Sequence, residues 1–336
     1  MAKGDWRLKQ MNSTGDAKAG QILYYGAGWP TNIGNAFIDL GAMAILRRAA
    51  PNAQIAFASE MPRWFFWRAS RESRRFRFSR TAKHPDMKDA LDVASVTQCA
   101  LVVFAGMAMC EEFITVNGPT VLALARRGVP ALLLGTGALA YSDQEKNLFG
   151  GFLRQIRPIG FVSRDDRSYD MFADCVPRAR RGIDCGFFLP EAYATPPLVI
   201  PAYIVAAFDS MPEPALNLRG RQLMRAHHDC WGPPKKDYLS ADNTLISDIP
   251  YDYLALYANA EEVHSDRVHA CVAALAYGRR ARLYSQTPRG SLFGPVDAER
   301  IRDDLVQLDL QLLAEKKRAQ VEFVREIIAA HVRQSQ

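Results

Sequence analysis

The chain has 336 residues, 49% of them hydrophobic and 23% charged, a balance that suits a globular protein with room for two ordinary domains. No apolar run approaches the roughly 20 residues of a membrane-spanning helix, and the six cysteines include no Cys-x-x-Cys pair, which argues against a zinc ribbon or a disulfide framework. A net charge of +6 is a mild excess and not by itself a nucleic-acid signature, and no nucleic-acid-binding motif accompanies it, so no nucleic acid is expected as a partner.

In chain order, residues 1–20 read as a polar, flexible leader without the apolar core of a signal peptide, which makes the cytoplasm the expected compartment. Gln21–Tyr25 reads as a strand, followed by Gly26-Ala27-Gly28 and a helix over Ala36–Ala49. The glycines suit a tight strand-to-helix turn, because the spacing of a dinucleotide fingerprint is missing. Gln54–Ala58 is a second strand. Arg63–Arg80 then carries seven arginines against one acid, Glu72, with Trp64, Phe65, Phe66, Trp67, Phe76 and Phe78 interleaved. Three readings stand for it: an ordinary strand and helix with solvated arginines, a peripheral contact with an anionic membrane face, or a groove for an acidic or lipid-diphosphate-linked glycan.

Ala100–Ala105 is a continuous apolar run, as in a strand covered on both faces. A helix over Pro119–Arg127 leads to the strand Ala131–Leu134, and Gly160–Ser163 is a further short strand. The loop Tyr193–Pro201 holds Pro196, Pro197 and Pro201 and marks a domain boundary. Beyond it, Tyr203–Phe208 reads as a strand, Arg219–His228 as a helix, Asn243–Ser247 as a short strand and Tyr251–Ala260 as a helix. Ala298–Val332 reads as a long charged helix with Leu305, Leu308, Leu312 and Val321 inward. Alternating strands and helices predict an α/β fold with parallel sheets. The expected division is a leader (1–20), a first α/β domain (21–195), a second (196–297) and a helical tail (298–336).

Val263–Ala270 carries the most chemistry. It reads as a strand, a turn with Ser265 as helix N-cap, and a helix whose stripe Val268, Cys271, Val272, Leu275 and Ala276 is buried. Gly278 closes that helix, and Ala281–Ser285 resumes as a strand. Asp266, Arg267 and His269 then fall in the first helical turn, where free N–H groups favour anions. Arg267 adds a fork for a carboxylate or phosphate, and His269 a group that moves protons near neutral pH. The plainer alternative pairs Arg267 with Asp266 on the surface and leaves His269 as a satisfied histidine. Arg164-Asp165 follows a short strand, with Arg164 as an anion contact and Asp165 as its orienter or a base, or else as a surface arginine and a cap. Asn32 either bonds a sugar hydroxyl or caps the next helix, and Asp184 either lines a cleft or fixes a turn. His227-His228 with Asp229 and Cys230 invites a metal reading, but adjacent helical histidines point about 100° apart, so no metal site is expected.

Several of these pieces, in this order, resemble the polysaccharide pyruvyl transferase family. They are Asn32-Ile33-Gly34-Asn35, Val129–Gly137, Ser163-Arg164-Asp165-Asp166-Arg167-Ser168, Ile183–Leu189 and Ser265–Ala270 with Gly278. Two departures stand out: Asn35 replaces the family's acidic residue, and the second glycine-rich turn is reduced to Ala105-Gly106-Met107. The resemblance implies two Rossmann-like α/β domains with a deep interdomain cleft, similar to glycosyltransferases of the GT-B type, with the tail packed back on the first domain. It also implies pyruvyl transfer from phosphoenolpyruvate to two sugar hydroxyls, giving a ketal, with phosphoenolpyruvate as co-substrate and no separate cofactor. The expected partners are phosphoenolpyruvate and a sugar or lipid-linked glycan. Within this reading His269 and Asp165 are catalytic, and Arg267, Arg164, Ser265, Asn32, Gly34, Asn35 and Asp184 hold substrate. A nucleotide-sugar glycosyltransferase and a non-catalytic, membrane-associated relative are the alternatives.

Overall fold

A computed structural model describes residues 21–27, 32–60, 92–106, 109–228 and 242–334. The leader, Gly28, the Arg63–Arg80 stretch, Met107, Asp229 and Cys230 lie outside the described residues.

The first half builds a parallel six-stranded sheet from β1 (Gln21–Gly26), β2 (Gln54–Ser59), β3 (Leu101–Ala105), β4 (Ala131–Thr136), β5 (Gly160–Ser163) and β6 (Ala179–Arg181), in the order β2-β1-β3-β4-β5-β6. β3 and β4 are buried along their whole length, because helices cover both faces. Those helices include α1 (Ile33–Ala49), α2 (Glu111–Arg126), α3 (Asp143–Ile156) and α4 (Asp166–Phe172). α1 begins three residues before the sequence pattern suggests, because Asn32 caps it by accepting from the Gly34 N–H at 2.9 Å. α2 starts eight residues before the expected Pro119. The proline lies inside the helix at the loss of one backbone hydrogen bond, where the sequence reading took it as a first-turn residue.

The second half builds a parallel five-stranded sheet from β7 (Tyr203–Ala207), β8 (Gln222–Ala226), β9 (Thr244–Leu245), β10 (Glu262–Ser265) and β11 (Arg280–Leu283), in the order β11-β10-β7-β8-β9. The expected helix over Arg219–His228 is therefore wrong. Its residues have good helix propensity, but β7 takes this segment as its parallel neighbour, Tyr203 opposite Gln222. α5 (Pro250–Asn259) and α6 (Val268–Ala276) cover this sheet. After β11 the chain runs through two 3₁₀ segments, Pro288–Val296 and Glu299–Arg302, and an isolated bridge from Val306 to Ala281. Only then does α7 (Leu310–Gln334) begin, so the long helix expected over Ala298–Val332 starts at Leu310.

α7 lies on the first half. Gln320 brackets the backbone of Ile183, accepting from its N–H at 2.8 Å and donating to its carbonyl at 3.2 Å. Lys317 reaches Glu191 at 3.2 Å, and Arg325 donates to the Arg48 carbonyl at the end of α1. One continuous apolar core includes Phe37 of α1, Phe187 of the 185–188 turn and Val272 of α6, so the two halves pack directly on each other. Burying each such side chain is worth about 1.5–3 kcal/mol. Among the described residues no helix is long and apolar enough to cross a membrane.

Candidate functional site

In an open parallel sheet, ligands bind beyond the carboxyl ends of the strands, where the strand order reverses. In the second sheet that point lies between β7 and β10, and Arg267 follows β10. Ser265 is the last strand residue and not the helix cap. Arg267 itself occupies the cap position of α6. The Ser265 hydroxyl donates to the Ala207 carbonyl at 2.7 Å and accepts from the Arg267 N–H at 2.8 Å, and the residue is fully buried. It shapes the turn beneath Arg267, and its hydroxyl, expected to hold substrate, is engaged with backbone on both sides. Asp266 and Arg267 precede the helix, and they do not pair. The Asp266 carboxylate instead accepts the N–H groups of Asp209, Ser210 and Met211 at 2.7–3.1 Å.

This clamp fixes Asp209, whose side chain is 3% exposed. Asp209 Oδ2 accepts from Arg267 Nε at 2.7 Å, and Oδ1 lies 2.9 Å from His227 Nδ1. The two loops thus hold each other by reciprocal carboxylates, and the terminal nitrogens of Arg267 stay available. Burial alone raises the Asp209 pKa. The bond to His227, with the nearby His228 and Arg267, outweighs it and brings the group down to about 2. The adjacent histidines part company in the fold. His228 is buried edge-on against Phe37 and bonded to the Tyr257 hydroxyl, and burial lowers its pKa to about 3, so it is neutral at physiological pH.

His269 lies in the first turn of α6. Its Nε2 faces Asp184 Oδ2 at 3.7 Å, and both atoms are buried without a hydrogen-bond partner. Asp184 Oδ1 accepts from the Gly186 N–H at 2.8 Å and caps the 3₁₀ turn Cys185–Phe188, as the turn-fixing reading of Asp184 has it. Burial raises its pKa, but His269 and the Gly186 N–H hold it below the ordinary carboxylate value. Gly34 stands against the Nδ1 side of the ring. A Cβ there would lie 3.1 Å from His269 Cβ and 3.3 Å from Nδ1, so only glycine lets α1 approach this closely. Asn32 uses its carbonyl oxygen as the cap of α1, and Asn35 follows half-buried on the first turn.

On the first sheet, Arg164 and Asp165 follow β5. Arg164 is buried and donates from Nη2 to the Ala138 carbonyl at 2.6 Å, while its Nε is 3.7 Å from Asp165. A Cβ at Gly137 would meet that Nε at 2.5 Å, which accounts for the glycine after β4. Asp165 caps α4. It accepts from the Ser168 N–H at 2.8 Å, the Ser168 hydroxyl at 3.0 Å and the Tyr141 hydroxyl at 2.8 Å. With three donors on its two oxygens, Asp165 is an orienting cap and has little capacity left to act as a base.

Tyr141 was not singled out from the sequence. Its backbone is left-handed (φ 56°), an uncommon state for a bulky residue. Three consecutive N–H groups, of Leu139, Ala140 and Tyr141, wrap the buried Glu145 carboxylate and hold it so. The phenol then reaches across the cleft to the Ser291 hydroxyl at 2.6 Å. Two residues before Ser291, Arg289 lies within electrostatic reach of Arg164 and Arg267. Crowding by protein, then these like charges, lower its pKa although its side chain remains open to solvent at the cleft wall. Asp209 and Arg289 were also missed. Asp209 lies two residues beyond the apolar strand β7, a position that marks a sheet's ligand edge, whereas nothing in the local pattern around Arg289 distinguishes it.

Curated protein sequences yield no match to this chain. Among solved structures, the S. aureus MnaA–UDP complex matches with a TM-score of 0.52 at 10% identity, covering 94% of this chain and 96% of the other. UDP-GlcNAc 2-epimerase from Neisseria meningitidis bound to UDP-GlcNAc matches at 0.49 and 12%, covering 90% and 94%. E. coli heptosyltransferase WaaC with ADP-2-deoxy-2-fluoro heptose matches at 0.43 and 12%, covering 78% and 88%. The fold is thus that of two Rossmann-like domains of the GT-B type, as the sequence resemblance implies. The sequence profile of polysaccharide pyruvyl transferases matches residues 32–286, a span that contains the Asn32, Arg164, Asp184 and Arg267–His269 elements and the Asp209 clamp. The chain belongs to the polysaccharide pyruvyl transferase family.

Proposed function

We propose that the protein transfers the pyruvyl group of phosphoenolpyruvate to two hydroxyls of one sugar, in a cell-surface polysaccharide or its lipid-linked precursor, and closes a cyclic ketal. The observation that carries this reading is the buried, unpartnered Asp184–His269 pair beside Arg267, at the carboxyl edges of both sheets. Asp184 orients Nε2 of His269, which leaves Nδ1 to exchange a proton with substrate. Protonation of the enol methylene places positive charge on the central carbon, and one sugar hydroxyl adds there. Phosphate then leaves and the second hydroxyl closes the ring. One hydroxyl proton restores His269, and the other departs with phosphate. Arg267 grips the donor as an anion, and Asn32 and Asn35 face the acceptor side.

Calorimetry with phosphoenolpyruvate, and phosphate release in the presence of acceptor glycans, test the reading. His269→Ala is expected to bind the donor normally and to lose about 100- to 10,000-fold in turnover. Arg267→Ala is expected to lose donor binding. Normal turnover by His269→Ala, or binding of UDP-sugars in place of phosphoenolpyruvate, refutes it.

A further inference from the structure

Three arginines from three separate elements lie within electrostatic reach: Arg289, in the 3₁₀ segment after β11, faces the charges of Arg164 after β5 and Arg267 after β10. Their electrostatic surroundings differ. Asp209 neutralises Arg267 at 2.7 Å, and Asp165 stands 3.7 Å from Arg164. Among the described residues Arg289 has no carboxylate partner. Its backbone is nevertheless fixed. The Thr287 hydroxyl accepts from the Arg289 N–H, and Ser291, two residues on, is bonded to Tyr141, which is bonded in turn to Asp165 beside Arg164. The Tyr141 turn and this chain thus anchor the backbone next to Arg289 beside the Arg164–Asp165 pair. Arg289 has no acid of its own, so it adds uncompensated positive charge near Arg164, and an entering anion relieves it.

Accepting phosphoenolpyruvate as the donor, which is the reading above, we infer that Arg289 and Arg164 form the subsite for the donor's phosphate, and that Arg267 faces its carboxylate. The assignment follows from charge. The phosphate is close to a dianion and belongs where the positive charge is uncompensated. The carboxylate is a monoanion and suits the fork of Arg267, whose Nε is already committed to Asp209. Arg289 is then a specificity residue. It separates phosphorylated donors from plain 2-oxo or 2-hydroxy acids, which carry the carboxylate alone.

The test is calorimetry on the full chain with three probes: phosphoenolpyruvate, inorganic phosphate and pyruvate. Arg289→Gln is expected to weaken phosphoenolpyruvate and phosphate by about 10- to 100-fold and to leave pyruvate within twofold, since a charge-assisted contact is worth about that much. Arg289→Lys, which keeps the charge, is expected to recover part of the loss. Arg267→Gln is expected to weaken phosphoenolpyruvate and pyruvate while sparing phosphate. Arg300→Gln, at a surface pair with Asp304, controls for net charge and is expected to change none of the three. Arg289 makes no ion pair, so the melting temperature of Arg289→Gln should match wild type. Arg289→Gln that binds phosphoenolpyruvate as wild type does, or that loses pyruvate as much as phosphate, overturns the assignment. Wild-type protein that binds phosphate through Arg289 but not phosphoenolpyruvate keeps the phosphate subsite and removes the proposed reaction instead.

Discussion

Asp209→Asn tests whether the carboxylate clamp at the second sheet's ligand edge sustains both the fold and the anion grip. The substitution keeps shape and removes one charge from a side chain that is 3% exposed and bonded to Arg267 at 2.7 Å. The Asp209 pKa falls from 3.8 to about 2 on folding. A depressed carboxylate stabilises the folded state above its unfolded pKa, and that stability is lost as pH falls through the folded value. The shift of roughly 2 units corresponds to about 2.5 kcal/mol at pH 7, at about 1.4 kcal/mol per unit. By the same relation about half should remain at pH 3 and almost none below pH 2. Urea denaturation of wild type and Asp209→Asn at pH 7, 5, 4 and 3 measures the difference. It is expected to be flat from pH 7 to 5 and to shrink by about half at pH 3. Calorimetry at pH 7 should also show weaker phosphoenolpyruvate binding, because Arg267 loses the partner that aims it. A stability difference that stays constant down to pH 3, or no difference at pH 7, refutes the reasoning. The effect would then come from packing or not exist.

Gly34→Ala sets helix propensity against catalytic geometry. Alanine favours the helix by up to about 1 kcal/mol, but its Cβ would sit 3.1 Å from His269 Cβ and from Asn32 Oδ1. The protein should fold with little change in melting temperature and lose at least tenfold in kcat as the imidazole is displaced by a few tenths of an ångström. Wild-type kcat would show that the approach of α1 to His269 has no catalytic consequence. Gln320→Ala strands the N–H and carbonyl of Ile183, both buried against α7. It is expected to destabilise by about 2–3 kcal/mol and to lower kcat through the neighbouring Asp184, read by thermal melting and steady-state kinetics. Unchanged stability would mean that water replaces both bonds.

The sequence by itself determined the alternation of strands and helices, because apolar periodicity is a local property that each segment carries alone. β3, β4, β5 and β7 fall where their apolar runs place them. The Arg267–His269 element was legible for the same reason, as a strand, a turn and a helix start contiguous in the chain. The Arg219–His228 segment misled because propensity without its β7 partner points the wrong way, and Ser265 because the helix starts two residues later than its capping chemistry suggests. What only the tertiary structure decided is which side chains meet. Parallel strands must be joined by long crossovers, so the groups at their carboxyl ends come from distant parts of the chain. Asp209 and Arg267 are 58 residues apart, and Tyr141 and Ser291 are 150 apart. No local pattern encodes such pairs. They exist because two sheets, packed on each other through one shared apolar core, bring the carboxyl ends of their strands together.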